Sequence, residues 1–154
     1  MNTHEKFMQK ALNEAKKCLV HEDVPIGAII TYNNKIIAKA YNQKEWKNCA
    51  TYHAEILAIE KACLKIGNFR LCDCDIYVTK EPCMMCLGAI LSARIKNIYF
   101  GAYDKKYGTA ELAQINNFNH KSNVFGGICE RECEELLSNF FKKIRESKCK
   151  LKLK

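Results

Sequence analysis

Only two prolines, Pro25 and Pro82, interrupt the 154 residues, and no Pro/Gly/Ser-rich stretch divides the chain. With no linker, internal repeat or low-complexity segment, a single domain spanning 1–154 is expected, large enough for one substantial core. No apolar run approaches the roughly 18 residues a membrane-crossing helix requires, which argues against a membrane protein. Residues 1–10 are polar and mixed in charge rather than leader-like, so a cytoplasmic location is expected. The apolar share, 48%, is that of an ordinary globular protein.

Ten cysteines would suggest a disulfide framework in an exported miniprotein, but this chain carries no export signal and can build a core without cross-links. Most of its thiols are expected to be reduced. Cys18, Cys63, Cys129 and Cys133 fall in apolar stripes and read as small core residues, whereas Cys72 and Cys74 read as loop or edge-strand thiols. Cys83 and Cys86 belong to neither group.

Acid is also in short supply: the formal net charge is +8, and it is unevenly placed. Lys142, Lys143, Arg145, Lys148, Lys150, Lys152 and Lys154 face a single acid, Glu146. This basic tail, about 146–154 and the turn before it, is a plausible footprint for nucleic acid, with a solvated, frayed terminus as the plain alternative.

Apolar periodicity predicts a first helix from Phe7 to Leu19, then strands over 26–32 and 35–41 joined by the turn signal Asn33-Asn34. A second helix is expected over 52–66, with Thr51 as N-cap and Gly67 as its stop. A strand over 75–79, a small apolar helix over 84–92 and a strand over 95–100 suggest a crossover between parallel neighbours. Beyond Gly108 a short helix over 110–115, a weak strand over 123–125 and a last helix over about 130–145 complete the chain. The order implies an α/β layer sandwich with a mixed sheet.

Chemistry concentrates in His53-Ala54-Glu55 and Pro82-Cys83-Met84-Met85-Cys86. One imidazole and two thiolates suit zinc, and each cluster opens a predicted helix. Cys83 and Cys86, three apart at a helix start, can converge on one ion, and the positive helix end favours their thiolate forms. Three protein ligands, His53, Cys83 and Cys86, leave one position for water, which zinc can activate at neutral pH. Glu55, two residues from a ligand, is placed to move protons as the catalytic acid and base. The competing reading is a closed four-ligand structural site completed by Cys72 or Cys74.

The combination His-x-Glu with Pro-Cys-x-x-Cys resembles the cytidine-deaminase-like superfamily. Within it the chain is similar to the tRNA adenosine deaminases over about residues 7–145. The blocks that carry the likeness are Val24-Pro25-Ile26-Gly27-Ala28, Tyr41-Asn42, Thr51-Tyr52-His53-Ala54-Glu55, the segment Tyr77 to Cys86, Ser92-Ala93-Arg94-Ile95, Phe100-Gly101-Ala102-Tyr103-Asp104 and Phe140-Phe141 with its basic followers. The resemblance implies a three-layer α/β/α sandwich with a five-stranded mixed sheet, one Zn2+ per subunit, a homodimer, and a tRNA anticodon stem-loop as partner. The reaction implied is hydrolysis of adenosine to inosine at the wobble position. It further implies that Asn42 hydrogen-bonds the flipped base and that Ala54, with Cys83, presents a backbone N–H to the reacting ring. Asn119, His120 and Phe140 or Phe141 match positions that contact flanking nucleotides.

Plainer readings compete at several of these positions. Phe140 and Phe141 share a stripe with Leu136, Leu137 and Ile144, so core packing competes with base stacking. His120 also reads as a loop histidine, and Asn42 as a turn residue. Tyr52, Cys49 and Gly108-Thr109 depart from the family pattern without touching a ligand. Two other functions share the site: deamination of a free base or nucleotide such as guanine, cytosine or deoxycytidylate, and a zinc-stabilised RNA-binding module without activity.

Overall fold

The computed structural model describes residues 1–114 and 118–152. Helix α1 (Thr3–Lys16) precedes a 3-10 turn (Lys17–His21) and the hairpin β1 (Gly27–Tyr32) and β2 (Lys35–Tyr41). Next come α2 (Ala54–Ile66), β3 (Cys74–Lys80), α3 (Met84–Ser92) and β4 (Asn97–Ala102). A second 3-10 turn (Ala110–Gln114), β5 (Asn123–Phe125) and α4 (Glu130–Lys152) follow. The five strands form one sheet in the order β2-β1-β3-β4-β5. The hairpin pairs antiparallel with itself and with β3, while β3, β4 and β5 run parallel.

Alternation along the strands divides the core in two. Ala28, Ile30, Ile76, Val78, Ile98 and Phe100 pack against α2 and α3; Ile29, Tyr77 and Tyr99 pack against α1 and α4. Helices therefore cover both faces, the expected α/β/α arrangement. Each fully buried Ile of these faces contributes about 1.5–3 kcal/mol. β1 approaches α1 so closely that a Cβ on Gly27 would meet the Ala11 carbonyl oxygen at 2.0 Å.

The hairpin turn falls at Asn33 and Asn34, both with positive φ, as a tight two-residue connection demands. Gly67 ends α2 in the left-handed conformation that glycine adopts freely. Several boundaries differ from expectation. α1 begins earlier because Asn2 and Glu5 form a capping box. α2 begins at Ala54 with His53, not Thr51, as N-cap, because residues 49–53 are still turning through bonds from Tyr52 N to Cys49 O and from His53 N to Thr51 O. β4 begins at Asn97, since the Ile95 N–H still closes the end of α3 on Ile90 O. Ile115, the predicted end of the short helix, lies outside the described residues.

α4 runs to Lys152, past the end expected near Arg145, so the basic tail continues as helix. Residues 145–152 are exposed. Cys74, expected on an edge or in a loop, is buried at the start of central strand β3, while Cys72 is exposed. No helix among the described residues is long and apolar enough to cross a membrane.

Candidate active site

β2, β3 and β4 point the same way, so their C-terminal ends meet at one edge of the sheet. The segments leaving those ends begin with Asn42, Glu81 and Tyr103. α2 and α3 start from the first two segments and lie against each other. Both helices open on an extended N-cap residue, His53 and Cys83, whose side chain caps nothing in its own helix. The usual Ser, Thr, Asp or Asn cap is absent there, and the freed side chains point at one another.

His53 Nδ1 stands 3.7 Å from Cys83 Sγ and 3.5 Å from Cys86 Sγ. Together the three donor atoms lie within 4.8 Å of one another, a group of the kind that holds a metal ion. A tetrahedral zinc site with bonds of about 2.0–2.1 Å to nitrogen and 2.3 Å to sulfur places N and S about 3.6 Å apart. Both nitrogen–sulfur distances match that spacing. Among the described residues, neither Cys72 nor Cys74 joins the cluster. The closed four-ligand alternative therefore has no fourth sulfur here.

Contact with the Cys86 thiol, then with His53, draws the Cys83 thiol down to about 3, a thiolate. The same contact, with burial, pushes Cys86 up. Glu55, in the first turn of α2, is buried and its Oε2 accepts from Cys86 Sγ at 2.7 Å. Desolvation raises its carboxyl above the ordinary carboxylate range, the direction that suits a group exchanging protons near neutrality.

These residues open onto a cavity of about 270 Å³. Asn42, Ala54 and Phe141 line it together with His53, Glu55 and Cys83. Asn42 is buried; its Nδ2 donates to Val24 O at 3.1 Å and its Oδ1 accepts from Lys44 N at 3.2 Å. Ala54, the first residue of α2, is fully buried. Phe140 and Phe141 meet edge to face at 5.3 Å, but Phe140 is packed inward and only Phe141 reaches the cavity. Asn119 and His120 lie elsewhere. Asn119 lines a separate depression with Arg94 and Phe118, and His120 Nε2 sits 2.9 Å from Ile95 O.

Several lining residues lie outside the His-x-Glu and Pro-Cys-x-x-Cys motifs. Lys44, Lys80, Glu81, Asp104 and Tyr107 border the cavity. Glu81 Oε1 accepts from Asp104 N at 3.1 Å and Oε2 from Ala110 N at 2.9 Å, while Lys80 pairs with Asp104 at 3.2 Å. The Thr109 hydroxyl donates to Pro82 O at 2.9 Å. The loop after β4 is thus tied to the segment that carries Cys83.

The chain is similar to known proteins. The MafB19-like deaminase family model matches residues 2–145. The tRNA-specific adenosine deaminase of Bacillus subtilis is 41% identical over 152 residues, 96% of this chain and 94% of the relative. That of Rickettsia bellii is 44% identical over 146 residues, 90% of this chain and all of the relative. A structure solved in a study of A-to-I editing by tRNA:A34 deaminases superposes with a TM-score of 0.82 at 40% identity, covering 86% of this chain and 99% of the other.

Proposed function

The chain belongs to the MafB19-like deaminases and, within them, to the tRNA-specific adenosine deaminase family, and from that premise we propose that it hydrolyses adenosine to inosine at the wobble position of a tRNA anticodon. The observation that supports this most directly is the convergence of His53, Cys83 and Cys86 beside the buried Glu55, on a cavity open to a base. Those three residues would hold one Zn2+ per subunit. When bound, the ion lowers the pKa of a water in its open position to about 7 and so supplies the nucleophile.

This chain's residues do the rest. The target adenosine leaves its stack and enters the cavity, where Asn42 orients the base and the Ala54 and Cys83 N–H groups, at helix N-termini, face the developing charge. The Glu55 carboxylate takes a proton from the attacking water. The water oxygen bonds to C6 while Glu55 passes that proton to ring N1; Glu55 then takes the remaining proton from the C6 hydroxyl and delivers it to the departing amine. The C6–N bond breaks, ammonia leaves, and inosine remains. Phe141 borders the entrance, while Asn119, His120 and the more deeply packed Phe140 are assigned to flanking nucleotides on family likeness alone. A homodimer and a cytoplasmic location, where tRNA is found, complete the reading.

The test is inosine formation on a tRNA carrying adenosine at the wobble position. Zinc-loaded wild-type protein should convert it, and Glu55→Ala should lose turnover while keeping its zinc. A protein with zinc demonstrably bound and no inosine formed would refute the substrate assignment.

A further inference from the structure

The loop between β2 and α2 carries the chain's single tryptophan. Trp46 keeps 40% of its surface exposed, and its indole lies flat on the His21 imidazole, centroids 3.5 Å apart and planes 5° from parallel. A ring that close fills one face. The Lys47 ammonium, 4.1 Å from the indole centroid, therefore stands over the other.

The backbone beneath is fixed as well. Asp23 is fully buried, and its two oxygens accept the N–H groups of Glu45 at 2.7 Å and Trp46 at 2.9 Å. The same two strips of chain build the cavity wall. Val24 follows Asp23, Lys44 precedes Trp46 by two residues, and both line the cavity. Asn42 links the strips through its bond to Val24 O.

A single exposed aromatic is ordinary surface. Here the indole is held at the backbone, braced on one face by His21 and approached on the other by the Lys47 ammonium. That is the form of a base-stacking site: unpaired nucleobases stack on aromatic faces, and a neighbouring lysine pairs with the phosphate. The proton chemistry of Glu55 makes no use of it.

We propose that Trp46, braced by His21, stacks an unpaired nucleobase next to the nucleotide that enters the cavity, with Lys47 moving from the indole face to that nucleotide's phosphate. The proposal rests on the reading of the substrate as a tRNA anticodon loop, and it names a contact beyond the family motifs.

Because Trp46 is the only tryptophan, its fluorescence reports the contact directly. Zinc-loaded Glu55→Ala protein is titrated with an anticodon stem-loop, following tryptophan emission, and binding is measured in parallel by anisotropy of a dye-labelled stem-loop. Quenching should saturate at the RNA concentration where anisotropy does. Trp46→Leu should weaken binding about ten-fold, the scale of one lost base stack, and Trp46→Phe should recover most of it. The salt slope should be unchanged in Trp46→Leu and shallower in Lys47→Ala, since only the lysine releases a counterion. Stem-loop binding with unaltered emission overturns the platform and leaves the tRNA reading standing. No binding of the stem-loop to this protein overturns both.

Discussion

Glu81 spans the loop that follows β4, holding the Asp104 N–H on one carboxylate oxygen and the Ala110 N–H on the other. Asp104 itself and Tyr107, between the two anchors, line the cavity. The backbone turns so near the carboxylate that a Cβ on Gly108 would meet Glu81 Cδ at 2.4 Å. Glu81→Ala should cost about 2 kcal/mol, since two bonds to a charged acceptor are lost at a partly solvated site. It should also speed hydrogen exchange at Asp104 and Ala110 and raise KM for tRNA. Unchanged exchange at both amides would show that Glu81 does not hold the loop.

The buried thiols predict an alkaline weakness. Burial pushes Cys18 and Cys74 up to about 11 and Cys133 up to about 12, against about 8.5 for a free thiol. Above pH 8.5 the unfolded chain loses protons that the folded chain keeps, so stability falls with rising pH. Their stabilising effect is whole below the unfolded pKa and is lost on the way to the folded one. Cys133→Ala removes one such group. The stability difference between wild type and this variant should therefore narrow by up to about 1.4 kcal/mol per pH unit between pH 9 and 10.5. Urea midpoints across that range measure it, and a constant difference would contradict the sign.

The parts of the fold read most accurately were those whose signals are local. Asn33-Asn34 fixed the hairpin, and Pro82-Cys83 with Ser92 bounded α3. Thr51 misled because it is a good cap by type, whereas His53 takes the cap position by being where the chain first straightens. The His-Cys-Cys cluster was legible because each donor lies on or within one turn of a helix start, so sequence spacing nearly equals spatial spacing. Glu81, Lys80, Asp104 and Tyr107 were not, because their meeting depends on the parallel register that sets Lys80 beside Ala102 and on the Glu81 N–H bonding Ala102 O. No local pattern encodes that register. The Phe140–Phe141 pair carried both roles in one stripe; only the helix's rotation against β4 separates the packed ring from the one facing the cavity.

Helix α4 presents Arg145, Lys148 and Lys152 at i, i+3 and i+7, so the three share one exposed face. A frayed tail would scatter these charges; a helix lines them up for a phosphate backbone. Replacing all three with Ala should lower the slope of log K for tRNA against log salt by about 2, since each phosphate contact carries roughly 0.7–0.9. The exposed positions should leave folding stability within about 0.5 kcal/mol of wild type. An enzyme acting on a free base or nucleoside would show little salt dependence and no response to the triple substitution. An unchanged slope with unchanged tRNA affinity would remove this basic face of α4 from the RNA site and leave the cavity and the loop at Trp46 to supply recognition.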